Sequence, residues 1–324
     1  MSVLAYTENW DGKFKKLSYE LVSYAKAIAE NLNTETVVAS IGMVEEEELK
    51  KLGNYGADKV VAAKDEKLKN LANQPYAKTL AQIAEKENAT VLVFAHNFTG
   101  KAVAPRVSVK LKAGLAAGVT EPPSSYDPFI IKRKVFTNKA FANVKINSDK
   151  KILTLFQNSF EIKETENKAS IEEFTPELTD ADFRTEVKEV NKVTGKVLLT
   201  DAEIVVSGGR GMKGPEKWEN LEKLAEVLGA ATACSRPVSD EGWRPHEEHV
   251  GQTGKIVAPN LYIALGISGA IQHLGGVSSS KTIVAINTDK DAPIFESADY
   301  GIVGDVHKVL PQLIEAIKEV KAEG

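Results

Sequence analysis

The sequence predicts an α/β protein of two domains, each a mostly parallel sheet flanked by helices. Three observations carry this expectation. Continuous apolar, β-branched runs alternate with amphipathic stretches at helical spacing, the pattern of parallel strands covered on both faces. The alternation occurs twice, once from the first residues and again from Ile204, with a differently patterned stretch between. The length, 324 residues, suits two domains of roughly 100–200 residues each.

In the first alternation, Val3–Tyr6, Glu35–Ile41, Lys59–Ala62 and Thr90–Ala95 read as strands. Leu17–Leu32, Glu45–Leu52, Tyr76–Glu87 and Val103–Leu111 read as the helices between and after them. From Pro122 the grammar changes. Phe129–Phe136, Phe141–Ile146 and Lys151–Phe156 read as successive strands separated by turn residues, and are expected to extend the first sheet in an antiparallel manner. Glu161–Lys196 is charged and reads as connecting segment, with one strand expected at Arg184–Val190. The second alternation gives strands at Ile204–Val206, Leu261–Leu265, Thr282–Ile286 and Tyr300–Val303, a helix over Trp218–Leu228 and a closing helix over Val306–Lys321. No repeat of fixed period is present.

Composition narrows the function classes. Hydrophobic residues make up 43% and charged residues 27%, the balance of a globular chain. The formal net charge of −4 argues against a nucleic-acid binder, which usually carries a basic excess. A single cysteine, Cys234, excludes an internal disulfide and a cysteine-based metal site, and fits a reducing compartment. No run approaches the ~18 apolar residues of a membrane span. Met1–Tyr6 enters a strand pattern without a basic or apolar leader, so the expectation is a cytoplasmic protein, or a mature form already trimmed. No metal site is expected.

Four segments follow strand ends in the second half, the edge at which open α/β sheets bind ligands. In Ser207-Gly208-Gly209-Arg210-Gly211, glycines permit close backbone approach and Arg210 supplies charge and donors. The same pattern also suits a tight turn with a solvated arginine. In Gly266-Ile267-Ser268-Gly269-Ala270-Ile271-Gln272-His273, Ser268 reads as an N-cap of a helix whose first turn favours phosphate. A plain capped helix fits as well. Val250-Gly251-Gln252-Thr253-Gly254-Lys255 ends in Gly-Lys, but Ile256 stands where a phosphate loop needs Ser or Thr, so only its hydrogen-bonding side chains are of interest. In Cys234-Ser235-Arg236-Pro237, Arg236 can face an anion or pair at the surface, and Cys234 reads as a small buried residue.

Hydrolytic constellations are missing. There is no G-x-S-x-G or H-E-x-x-H. His246-Glu247-Glu248-His249 is one residue short of the i, i+4 zinc pair and reads as a solvated acidic loop.

Taken in order, these segments resemble the alpha (large, FAD-binding) subunit family of the electron transfer flavoproteins. Leu261–Gly276 and Ile283–Asn287 match the family signature throughout. Ser207–Gly211, Ser235-Arg236, Val250–Gly254 and Ala298-Asp299-Tyr300-Gly301 fall in the family order. The first half agrees more loosely, through Thr99-Gly100-Lys101, Ala104-Pro105-Arg106 and Thr120-Glu121. Pro237-Val238-Ser239 and Trp243 depart from the family pattern, which has small residues and a smaller side chain there.

The resemblance implies a domain over residues 1–193 that contacts a beta subunit. It implies a Rossmann/flavodoxin-like FAD-binding domain over residues 194–324. FAD would be lined by Arg210, Ser235, Val250, Gly251, Gln252, Thr253, Ser268, Gly269, Ala270, Ile271, Gln272, His273, Asn287 and Asp305. Thr253 would sit near flavin N5, Arg236 over the ring and His273 at its N1/C2 carbonyl edge. Ser268 and the helix start would take the pyrophosphate, and Asn287 and Asp305 the adenosine end. Arg236 and His273 would then tune the flavin, since reduction places negative charge where cations or donors stabilise it.

The function implied is that of a carrier rather than an enzyme. It would accept electrons from flavin dehydrogenases, such as the acyl-CoA dehydrogenases of fatty acid β-oxidation, and pass them to a membrane quinone oxidoreductase. Within the family, a bifurcating or nitrogen-fixation-linked carrier is the alternative. Outside it stand an NAD- or nucleotide-binding enzyme of the same fold and a non-redox nucleotide sensor.

Overall fold

The computed structural model describes residues 1–136, 140–190 and 198–323. The chain divides into two compact units, Met1–Asn191 and Lys192–Gly324. The boundary expected at 193/194 lies outside the described residues.

The first unit starts with β1 (Ser2–Thr7), α1 (Lys16–Leu32), β2 (Glu35–Ile41) and β3 (Lys59–Ala63). It continues through α2 (Asn73–Lys86), β4 (Ala89–Ala95), α3 (Phe98–Leu111) and β5 (Gly114–Val119). Four strands follow: β6 (Phe129–Val135), β7 (Ala140–Lys145), β8 (Lys151–Leu155) and β9 (Ser170–Glu173). The sheet order is β7-β6-β5-β8-β4-β1-β2-β3-β9. Its two faces carry separate apolar clusters. One is built on α1, with Tyr24 and Ile28, and the other on α2 and α3, with Leu80 and Val107. Alternate residues of β1 serve alternate faces, Val3 and Ala5 on one and Leu4 and Tyr6 on the other, as the two-residue period of a strand requires.

Two expectations for this unit are corrected. Only β6 and β7 extend the sheet antiparallel; β8 enters its middle, parallel to both β4 and β5. Ile152–Leu155 are all buried, which a central strand demands and an edge strand does not. No strand forms at 184–190 among the described residues; the connecting segment instead supplies β9 at Ser170–Glu173, parallel to β3. That edge strand is fixed by charge: Glu172 pairs with Lys59 at 2.5 Å and also with Lys86.

The second unit contains β10 (Ile204–Gly208), α4 (Glu219–Leu228), β11 (Ala231–Cys234), α5 (Arg236–Asp240) and β12 (Leu261–Leu265). It closes with α6 (Ile271–Val277), β13 (Thr282–Asn287), β14 (Tyr300–Val303) and α7 (Val306–Glu323). All pairings are parallel, in the order β11-β10-β12-β13-β14. Numbered from its own first strand, this is the flavodoxin-like order 2-1-3-4-5. Tyr262 and Ala264 pack on the face that carries Val277 and Ile294; Ile263 and Leu265 pack with Trp218, Leu221 and Leu310. The chain reverses direction of winding between β10 and β12, so a crevice opens at their carboxyl ends. None of the helices among the described residues is long and apolar enough to cross a membrane.

Candidate functional site

At that switch point lies a cavity of about 430 Å³, within the range of small-molecule sites. Three loops wall it, and glycines set their spacing. A Cβ on Gly266 would lie 2.7 Å from Gly211 Cα, and Gly266 has φ +61°. A Cβ on Gly276 would lie 2.5 Å from Gly251 Cα. The loops after β10 and β12, and the Val250–Lys255 loop against α6, therefore touch backbone to backbone, which only glycine permits.

Most of the expected residues meet here. Arg210, Ser235 and Arg236 line one side; Val250, Gly251 and Thr253 line another. Ser268, Gly269, Ala270, Gln272, His273 and Asn287 complete the wall. Three expected residues do not line it. Gln252 is drawn away over α6, where its Cγ would lie 2.8 Å from a Cβ on Gly275. Ile271 is 54% exposed beyond the rim. Asp305 caps α7 by accepting from His307 N at 2.9 Å and pairs with Lys213 at 3.1 Å. The backbone N–H of His307, then Lys213, holds its carboxyl below the usual range.

The electrostatics are one-sided. Arg210 and Arg236 are exposed at the rim, and no Asp or Glu lines the cavity among the described residues. Arg236 shares its charge with Asp240, one turn away at 3.3 Å. Ser268, expected as a helix cap, is not one: α6 begins at Ile271, has seven residues, and is preceded by Ala270 with no side-chain cap. Anion recognition falls instead to the turn itself. Among the described residues, the N–H groups of Ser268, Gly269 and Ala270 make no backbone hydrogen bond, and Gly269 (φ +87°) shapes the turn that presents them.

His273 lies in the cavity wall. It is buried, its Nδ1 lies 3.1 Å from Val250 O and its Nε2 2.9 Å from Tyr262 Oη. A carbonyl only accepts, so Nδ1 carries the proton and Nε2 accepts from the tyrosine. Burial pushes its pKa down to about 4. In this arrangement His273 is neutral with both nitrogens engaged, so it supplies no charge to the cavity; Arg210 and Arg236 are the cations that line it.

The expected solvated loop at 246–249 is also corrected. Arg244 Nε donates to Glu248 Oε2 at 2.7 Å and Nη2 to Oε1 at 2.9 Å, a two-pronged pair. Arg244 also reaches Glu222 at 2.6 Å and lies over the Trp218 ring. Glu248 and His249 are buried, and His249 lines the cavity. Trp243 packs on the second core. Sequence reading missed His249 because H-E-E-H was weighed only as a metal pair; the signal available was its place directly before the Gly251 turn.

Glycine-walled, cation-rimmed and free of lining carboxylates, the crevice marks a dinucleotide-binding protein of the doubly wound class. The comparisons place it further. The profile described as "Electron transfer flavoprotein domain" matches residues 3–179, and that described as "Electron transfer flavoprotein FAD-binding domain" matches residues 198–278. The chain is 39% identical over 322 residues to electron transfer flavoprotein subunit alpha of Bacillus subtilis, covering 98% of each chain. It is 38% identical over 315 residues to that of Syntrophomonas wolfei, covering 97% of this chain and 98% of the relative. Protein FixB of Clostridium saccharobutylicum is 35% identical over 323 residues, covering 98% of this chain and 96% of the relative. The chain belongs to the electron transfer flavoprotein alpha-subunit family. Its cofactor is FAD and its function electron transfer.

The residues present fit that cofactor. The arginines and the free N–H groups of the Ser268–Ala270 turn suit a pyrophosphate, and the glycine-walled crevice admits a planar ring.

Proposed function

We propose that this chain holds FAD in the switch-point cavity and serves as the redox half of a heterodimeric carrier. A beta subunit would contact the first domain, taken as residues 1–193, with FAD on residues 194–324. The observation that carries the placement is the cavity itself: among the described residues it has two arginines at its rim, turn N–H groups without a backbone partner, and no lining carboxylate. FAD supplies the redox chemistry when bound. The chain's own residues bind and orient it. Arg236 faces the developing negative charge, Thr253 offers a hydroxyl near the reactive edge, and Arg210 with the Ser268–Ala270 turn holds phosphate. Asn287 is committed through Nδ2 to Ile267 O at 2.9 Å and so acts chiefly by fixing the turn.

We read the chain as a carrier without a substrate of its own. Flavin dehydrogenases, such as acyl-CoA dehydrogenases, would be the donors and a membrane quinone oxidoreductase the acceptor, with the carrier in the cytoplasm. The test is the visible spectrum and reduction potential of the complex purified with its beta partner. Yellow protein whose flavin potential falls on Arg236→Ala supports the placement. An unchanged titration in that variant removes Arg236 from the site.

A further inference from the structure

His249 lines the cavity and has no part in the proposed carrier. It is 3% exposed, and its Nδ1 has no hydrogen-bond partner among the described residues. A buried polar atom without a partner is costly, so its retention at a ligand cavity calls for a ligand-linked reason. The ring is slotted between two glycines. A Cβ on Gly254 would lie 2.8 Å from Nδ1, and one on Gly251 3.4 Å from Nε2. A side chain at position 254 would displace the imidazole from the cavity wall, while one at position 251 would lie in ordinary contact with its other edge.

The ionisable groups around it are few. His246 stacks obliquely at 5.5 Å between ring centroids. Arg236 and Asp240 face it from α5, and His273 from α6. Glu248, its neighbour in the chain, is committed to Arg244 and Thr232. Burial first, then His246 and Arg236, hold the imidazole below its ordinary pKa, with Asp240 opposing. His249 is therefore neutral at pH 7 in the protein without ligand, and among the described residues no carboxylate hydrogen-bonds its Nδ1.

We propose that His249 is a flavin-contact residue that takes up a proton when the bound cofactor is reduced, and so couples the carrier's potential to pH. The proposal rests on the placement of FAD in this cavity. The electrons come from the reduced donor flavoprotein and the proton from water. The neutral imidazole becomes imidazolium beside the new negative charge, and reoxidation returns the proton. The Gly251–Gly254 slot holds the ring against the cavity while this happens.

The experiment uses the complex with its beta partner, in wild type, His249→Gln, His249→Leu and Arg236→Ala. The reduction potential is followed from pH 5.5 to 8.5, and the ring nitrogens of labelled histidines are followed by NMR in the oxidised and reduced states. In wild type the potential should rise more steeply as pH falls than in His249→Gln, by up to one additional proton per reduction. The His249 pKa should move upward on reduction by a unit or more, a tenfold change in proton affinity. His249→Leu should bind FAD about tenfold more weakly than wild type. Equal pH slopes in wild type and His249→Gln, or a His249 pKa that is the same in both redox states, overturn the proposal. If His249→Gln does not hold FAD, the wild-type NMR titration decides alone. If Arg236→Ala alters the flavin and the His249 variants do not, only the His249 role fails. If none of the variants alters it, the cavity placement fails.

Discussion

His273 shows how burial reassigns a residue that sequence made prominent. Buried between Val250 O and Tyr262 Oη, its ring is held neutral by the loss of solvent around it. Its pKa is about 4 in the folded chain, against an ordinary value near 6.5. The unfolded chain therefore binds the proton more tightly, and stability is lost as pH falls from about 6.5 toward 4. From pH 7 to pH 5 the loss from this one group should be on the order of 2 kcal/mol. Urea unfolding of a Trp10→Phe chain, whose emission comes from Trp218 and Trp243 in the second unit, reads it directly. His273→Gln should flatten that pH dependence while lowering stability at pH 7. An equally steep acid loss in the variant would place the titration elsewhere. His96 in the first unit, also near 4 through burial and then Lys101 and Arg133, adds a similar acid loss to that unit, which the tryptophan background excludes.

At the scale of elements, the second unit depends on how closely β10 approaches its covering helix. A Cβ on Gly208 would lie 2.5 Å from Cη2 of the buried Trp218. Gly208→Ala should cost about 1–3 kcal/mol through overpacking, read as a lower urea midpoint. The Pro245–Val250 segment depends on Arg244. Arg244→Ala leaves Glu248, whose side chain is 10% exposed, with a carboxylate short of partners. A loss of about 2–4 kcal/mol is expected, together with weaker flavin retention, because the segment carries His249 and Val250. Arg244→Lys should recover little, since an ammonium cannot make the two-pronged contact.

The same scale shows what the sequence made legible. Strands such as Glu35–Ile41 and Leu261–Leu265 were readable to the residue because their short, β-branched apolar runs are what a strand covered on both faces needs. The glycine loops around the cavity were readable because they follow those strands. Strand Gly114–Val119, rich in glycine and alanine, carries no β signal of its own and exists through its neighbours. Ser170–Glu173 is polar, and its ion pairs to Lys59 and Lys86 join residues far apart in sequence. The insertion of Lys151–Leu155 between β4 and β5 is likewise a long-range choice that local pattern does not encode. In the site, Gln252 and Asp305 left the cavity wall for partners, Gly275 and Lys213, that no local motif specifies.

At the scale of the whole molecule, each unit carries its own pair of apolar clusters on its own sheet. Stability gained by binding belongs to the cooperative unit that holds the ligand, and amounts to about 2.7 kcal/mol at a hundredfold excess over the dissociation constant. Every cavity-lining residue lies between Arg210 and Asn287, so FAD should slow hydrogen exchange across residues 198–323. The strands on either side of the crevice, Ile204–Gly208 and Leu261–Leu265, should gain most, since opening either one dismantles the cavity wall. Peptides from residues 1–136 and 140–190 should be unchanged by FAD in the isolated chain and slow only when the beta subunit is added. Mass-spectrometric exchange on the chain alone, with FAD, and with FAD plus beta subunit separates these contributions. Equal slowing of both units by FAD alone would mean that the two cores open as one cooperative block, and the energetic division between the domains would have to be abandoned.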